Sequence, residues 1–486
     1  MLPTQNLPGH ADAIVAAAIA AVDPAAAVRR HLSCQKGQLQ LSQGHERAAS
    51  EETSAFPIPE HVVVVAFGKA STAMAAAVIE CITSDKQSST APTITGCVID
   101  KDGAVPSAAE TAILSQHPNV TLHTAAHPIP DTRNILASKQ LLHVIDSAPP
   151  AALVIACISG GGSALLCTPL VSLSDLQTTH TLLVESGLSI HDMNRIRRRL
   201  ETTKGGGLRD SVDLALILSD VTGDPLEIIA SGPTVGHLPA EGLIESRVLD
   251  RLQSSASMQG LPPAVTQLLS QPTPAVDTQT CVNCLVGNTA AAVHAASIEA
   301  ERLGYQPVIL STDWEGEAST VGRMLASMAV QQQTSSSPYR MCQQLPVALI
   351  AGGETTVTLP SDHGLGGRNQ EVALSAALRL QGSEGIVVAS VGTDGTDGPT
   401  DAAGGIVDGS TIGNDVDVKV ARTALGYHDA YHFLAKARRS DGQPALKKVR
   451  IEYGRVASNS FLGLPFSVDW TYRYERCRCN GCFDCQ

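Results

Sequence analysis

Ile386-Val387-Val388-Ala389-Ser390-Val391 runs directly into Gly392-Thr393-Asp394-Gly395-Thr396-Asp397-Gly398-Pro399-Thr400-Asp401-Ala402-Ala403-Gly404-Gly405. The short apolar run reads as a buried strand. The Gly/Asp segment after it puts carboxylates at the strand's carboxyl end, the edge of an open α/β sheet where ligands bind. Asp394, Asp397 and Asp401 on so flexible a loop repel one another unless a cation or a proton sits among them. The stretch therefore predicts a metal or phosphate site and, with it, an α/β fold.

Working outward, the same unit recurs. Apolar runs at 61–67, 151–158, 214–218, 280–286, 307–310 and 347–350 alternate with helical stretches at 70–81 and 289–303. Strands alternating with helices imply βαβ units and largely parallel sheets, here as two Rossmann-like domains with a cleft between them. A chain of 486 residues is long for one hydrophobic core, which also argues for two domains. Segments 37–54, 270–280 and 331–344 are rich in Ser, Thr, Gln and Pro and read as surface loops, the second as a domain boundary.

Composition narrows the partners. A net charge of −13 argues against nucleic acid and against an anionic membrane surface, but leaves small anions open. Twelve scattered cysteines fit a reduced cytosolic setting better than a disulfide framework. No Lys or Arg precedes Arg29, so neither a secretory signal nor a transit peptide is expected, and the apolar stretch 11–22 is too short to span a bilayer. A soluble, cytoplasmic protein is the expectation. Residues 437–486 differ sharply: they hold nine Lys/Arg against five Asp/Glu, seven of the fifteen aromatics and four of the twelve cysteines. Cys477, Cys479, Cys482 and Cys485 have thiolate–metal spacing without a histidine, a pattern that spacing alone leaves undecided. Cys281 and Cys284 fall inside an expected strand, where alternate facing suits structure better than shared ligation.

Several strand ends carry chemistry. Ser159-Gly160-Gly161-Gly162-Ser163 follows one strand and opens a helix, so backbone N–H groups can approach an oxyanion there. A bare turn rarely needs three glycines between two serines. Phe67-Gly68-Lys69-Ala70 stands at another such junction, although Val63 occupies the place of the first Walker A glycine. Lys69 is either ordinary surface or a phosphate contact. Asp220 and Asp224 follow the 214–218 strand, where they serve as helix caps or, with Asp394, as Mg²⁺ ligands. Arg368, after Gly364-Leu365-Gly366-Gly367, suits bidentate capture of a carboxylate or phosphate, and the glycine spacing is not that of a dinucleotide fingerprint. Lys204 precedes three glycines and is a candidate anion contact; His127, in the turn His127-Pro128-Ile129-Pro130, is a candidate substrate contact.

In this order the pieces resemble the class II glycerate kinases, the family with a large N-terminal domain and a smaller C-terminal MOFRL domain. The resemblance rests on Ala66–Ala70, His127-Pro128, 158–166, Ser219-Asp220-Val221 with Gly223-Asp224, 230–235, Glu315-Gly316-Glu317-Ala318, Gly352-Gly353-Glu354-Thr355, Gly366–Glu371 and 392–405. It covers roughly residues 11 to 434 and implies a kinase domain over 11–268, a MOFRL-type domain over 281–436 and an atypical tail over 437–486. After Leu434 the family continues into a final strand and a Gly-Pro-Thr-Gly-Thr-Asn loop, from which this chain departs. The resemblance implies phosphorylation of D-glycerate by ATP with Mg²⁺, giving 2-phosphoglycerate, and leaves a homodimer open. It assigns Ser159, Gly160, Gly161, Gly162, Ser163 and Lys204 to phosphate, and Lys69, Arg368 and the base Asp397 to catalysis. His127, Glu354 and Asn369 fall to the substrate, and Asp220 and Asp394 to the metal. A nucleotide-binding relative without turnover and a hydroxypyruvate reductase are the alternatives.

Overall fold

The structure is a computed structural model and describes residues 6–43, 52–85, 91–185, 190–236, 260–271, 281–333, 340–342, 346–449 and 468–469. Its centre is a six-stranded sheet in which every neighbouring pair is parallel. From edge to edge the strands are Val120–Ala125, Thr93–Lys101, His61–Phe67, Leu153–Ser159, Leu214–Leu218 and Val282–Gly287. The chain thus builds outward to one side from His61–Phe67, returns, and builds outward to the other side from Leu153–Ser159. Those two neighbouring strands form the topological switch point, where a crevice opens beyond the strand ends.

The middle strands are apolar without alternation because both faces are covered. Val62 to Phe67 are fully buried, and Leu214 to Leu218 nearly so, as strands clothed by helices on both sides must be. Two strands of this sheet escape the sequence pattern. Thr93–Lys101 is interrupted by Gly96, where a methyl group would lie 2.2 Å from the Val64 carbonyl oxygen. Val120–Ala125 is a half-exposed edge strand.

The stretch 37–54, expected as a loop, instead carries strands Gln38–Gln43 and Glu52–Pro57, paired antiparallel beside Leu32–Gln35. The reason is a period-two pattern: Leu39 and Leu41 are fully buried and alternate with Gln38, Gln40 and Ser42. The helix Ala318–Gln333 covers the start of the expected loop 331–344, and residues 272–280 of the expected loop 270–280 lie outside the described residues.

In the second half Gln306–Glu317 pairs parallel with Val347–Thr356. Val387–Gly392 and Gly404–Asp408 are antiparallel, because the Gly/Asp stretch between them is a hairpin connection and not a crossover. Val282–Gly287, beyond the expected boundary near 270–280, completes the first sheet, and the next helix, Thr289–Arg302, packs against the first helix, Leu7–Ala21. Cys281 and Cys284 are buried thiols on that last strand's edge and interior.

Residues 437–447 were expected to open an unrelated tail, yet they belong to the fold. Leu446–Lys447 pairs antiparallel with Gly404–Gly405, and Ser440 N–H donates to Asp408 (2.7 Å). Buried Asp12, on the first helix, accepts from Arg439 Nη1 (3.2 Å) and from Lys447 Nζ, so the two ends of the described chain are fastened together. Beyond residue 449 only Val468–Asp469 is described, parallel to Val391–Gly392; Cys477, Cys479, Cys482 and Cys485 lie outside the described residues.

Among the described residues no single helix is long and apolar enough to cross a membrane; the pair Leu7–Ala21 and Pro24–His31 has the length and composition together but bends by 57°. Asp12→Ala should lower the unfolding free energy by about 3 kcal/mol, as removing one member of a buried ion pair does. Urea unfolding checks this as a lower midpoint at unchanged slope.

Candidate active site

At the switch point the two strand-end loops touch. A methyl group on Gly68 would lie 2.2 Å from Ser159 Oγ and 2.6 Å from its carbonyl oxygen, so no other residue permits this approach. The loops are then laced together: Lys69 N–H donates to the Gly160 carbonyl (2.8 Å) and Ala70 N–H to Ser159 Oγ (3.1 Å). Ser159 is therefore already an acceptor that opens the helix Ser71–Thr83. The Gly161 Cα faces the His127 ring and the Lys69 stem, with 3.0 and 3.2 Å to a methyl group placed there.

Asp220 comes from the neighbouring strand end and presses on the same loop. A methyl group on Gly160 would sit 1.7 Å from Asp220 Oδ2, so glycine is needed for the carboxylate to reach the backbone. Burial pushes the Asp220 carboxyl up to about 6; the Lys69 charge acts against that rise, and the Glu354 and Asp394 charges reinforce it. Asp220 Oδ2 accepts no hydrogen bond among the described residues. Asp394 Oδ1 accepts from Thr396 N–H (3.1 Å). A buried bare carboxylate oxygen in the field of two further acids fits a divalent cation, although no cluster of three or more ligands forms among the described residues.

From the second half comes the helix Arg368–Leu380. Arg368 Nη1 donates to Glu354 Oε1 (2.8 Å) and to the Thr355 carbonyl (2.9 Å). Asp397 is fully buried and accepts from Asn369 N–H (3.2 Å), Gln370 N–H (2.8 Å) and Asn369 Nδ2 (3.4 Å). The two backbone N–H groups are open donors of the helix's first turn, so Asp397 caps the helix from another loop at the start that bears Arg368. This differs from the expected role as base in the pocket. Burial raises the Asp397 carboxyl to about 6 in spite of these bonds.

Two further expectations change in the same way. Lys204 is buried; its Nζ donates to the Ser163 carbonyl (2.6 Å) and pairs with buried Glu201, so it props the glycine loop instead of meeting an anion. Asn369 is also buried, its Oδ1 accepting from Ser390 Oγ (2.7 Å), and supports the helix start instead of the substrate. Ser163 Oγ shares a hydrogen bond with Ser231 Oγ (2.9 Å).

Lys69, Lys101 and His127 from the first sheet's edge, with Thr356, Arg368, Glu371 and His428 from the second half, line one pocket of about 380 Å³. Burial and the charges of Lys69 and Lys101 push His127 down to about 3, so its ring is neutral at physiological pH. Asp220, Glu354 and Asp394 bear on the pocket through Lys69, whose charge acts on Asp220, and through Arg368, which pairs with Glu354. Lys101, Thr356, His363, Glu371 and His428 were missed as pocket residues. Glu371 carried a signal, since it stands three residues after Arg368 and so shares a helix face. His428 carried none.

The acid with the raised carboxyl makes a stability test. The folded protein holds the Asp220 proton more tightly than the unfolded chain, so that contribution is complete below the ordinary value of 3.8 and is lost as pH rises through about 6. Asp220→Asn removes the loss. The variant should match the parent near pH 4 and exceed it above pH 7 by up to about 3 kcal/mol in urea unfolding.

Known proteins resemble this chain over most of its length. A domain of unknown function (DUF4147) matches residues 10–270 and the MOFRL family matches residues 347–447. Glycerate 2-kinase of Pyrococcus horikoshii is 35% identical over 441 residues, covering 87% of this chain and 91% of that protein. A putative hydroxypyruvate reductase of Agrobacterium vitis is 35% identical over 389 residues, covering 76% and 92%. The crystal structure of glycerate kinase from Thermotoga maritima superposes with a TM-score of 0.69 at 31% identity, covering 91% of this chain and 96% of that one.

Proposed function

The chain belongs to the glycerate kinase family and is a kinase, and we propose that it transfers the γ-phosphoryl group of ATP to D-glycerate, with Mg²⁺, giving 2-phosphoglycerate. One observation carries the reading: Lys69 and Arg368, from the two halves of the chain, line a single pocket, each with an acid bearing on its charge.

Phosphoryl transfer asks a protein for little covalent chemistry; it asks for positioning and for neutralising charge on the group in flight. The Ser159–Gly162 loop offers backbone N–H groups at the switch point, and its shape is fixed from below by Lys204 and from the side by Gly68. Lys69 supplies a fixed positive charge to the transferring phosphoryl group. Arg368 is held by Glu354 and the Thr355 carbonyl, which presents its fork to an oxyanion, either the transferring phosphoryl group or the glycerate carboxylate. Asp220 and Asp394 would hold the Mg²⁺ ion, which neutralises phosphate charge when bound. Neutral His127, packed beside Lys69, serves as a hydrogen-bonding wall and adds no further charge.

The name of the Agrobacterium relative favours a second reading, reduction of hydroxypyruvate. The Gly-rich runs here lack the dinucleotide spacing, and the expected result is no NAD(P)H oxidation with hydroxypyruvate.

ADP release should require both ATP and D-glycerate. Lys69→Ala and Arg368→Ala should each reduce kcat/KM by about 10²-fold or more, the range seen when one preorganised charge or donor is removed. Turnover near the parent level in both variants, or nucleotide binding with no turnover in the parent, would overturn the proposal. Phosphorus NMR of the product reads which glycerate hydroxyl carries the phosphate.

A further inference from the structure

Glu371 and His428 sit in the pocket and the phosphoryl-transfer scheme uses neither. Glu371 lies one helical turn beyond Arg368, is buried, and places Oε2 at 2.8 Å from His428 Nδ1. His428 has a left-handed backbone (φ 54°), a conformation a non-glycine residue keeps only when its surroundings impose it. The surroundings are visible. Gly364 N–H donates to the Tyr427 carbonyl (2.7 Å), Leu365 N–H to Asp429 Oδ1 (3.0 Å), and Tyr431 N–H to the Leu365 carbonyl (3.0 Å). The turn bearing His428 is thus tied to the glycine loop bearing Arg368.

A carboxylate beside Nδ1 keeps a proton on that nitrogen and leaves Nε2 as the working end of the ring. Among the described residues Nε2 makes no hydrogen bond. In the imidazolium form Nε2 is a charged donor; in the neutral form it is a lone pair that repels an anion. Lys69, Lys101, Arg368, His127 and His363 line the same pocket, while the charges of Glu317 and Asp397 act on Glu371.

We propose that His428, oriented by Glu371, is a specificity residue that donates through Nε2 to the carboxylate of the hydroxy-acid substrate, leaving Arg368 to the phosphoryl group. The assignment rests on the glycerate kinase reading. Glu371 is a positioning residue: it fixes the ring's proton and supplies the counter-charge.

The test is the split between KM for D-glycerate and kcat at saturating ATP and Mg²⁺. His428→Asn keeps a residue that tolerates left-handed backbone and an amide donor but has no imidazole. Its KM should be about tenfold higher, with kcat within about threefold. Glu371→Gln removes the carboxylate that orients the ring and should raise KM in the same direction, again with kcat within about threefold. An unchanged KM in His428→Asn would sink the assignment. So would a loss of kcat with KM unchanged, since the pair would then be a proton acceptor. No turnover of D-glycerate by the unaltered protein overturns the kinase reading and this one with it; turnover with KM unchanged in both variants overturns this one alone. If His428→Asn melts well below the parent, Glu371→Gln decides, and an unchanged KM overturns.

Discussion

The contact between Gly68 and Ser159 sets the rest of the site. Two parallel strands side by side deliver their chains to the same point and must then diverge onto opposite faces of the sheet. They can share that point only if one of the loops lacks a Cβ. Given that approach, Lys69 N–H reaches the Gly160 carbonyl and the lysine stem lies along Gly161 against His127. The neighbouring strand end brings Asp220 onto Gly160. A lysine, a neutral histidine, a buried acid and a glycine loop therefore meet through main-chain geometry before any ligand is considered.

The second half solves a different problem, that of holding a guanidinium steady at a helix start. The first-turn N–H groups of Arg368–Leu380 need acceptors, and the helix's own N-cap is glycine, which has no side chain to offer. Asp397 supplies both oxygens from the next loop, and Gly367 must be glycine because a methyl group there would lie 2.3 Å from the Asp397 carboxyl carbon. Burying that carboxylate works against ionisation, as its raised value shows, and three N–H donors offset the cost. The Gly/Asp stretch serves two ends at once: Asp397 builds the scaffold and the Asp394 charge acts on Asp220.

What the sequence revealed and what it hid divide along one line. Strands at 61–67 and 214–218 were legible because burial on both faces leaves an unbroken apolar signal. The strand ending in Lys101 was hidden by Gly96, and Lys101 was lost from the site with it. Lys204, Asn369 and Asp397 stood in the right motifs, yet a motif does not show whether a polar side chain faces a cavity or is spent on buried main chain. The compositional step at 437 misled for a related reason: the cations Arg439 and Lys447 that helped produce it answer Asp12, more than 400 residues away. Long-range pairing leaves no local trace.

An acidic protein with a net charge of −13 still builds a pocket faced by Lys69, Lys101 and Arg368, and the acids near it explain how. Three cations around a cavity of about 380 Å³ would repel one another in the absence of anions. Glu354 holds Arg368, and Asp220 bears on Lys69, so the cluster is tolerable before any phosphate arrives. Those same acids then compete with any incoming phosphate for the cations. A divalent cation held by Asp220 and Asp394, as proposed, would ease that competition at Lys69. Asp220, bare at Oδ2 and raised in its proton affinity, is the acid on which such a cation would act most strongly.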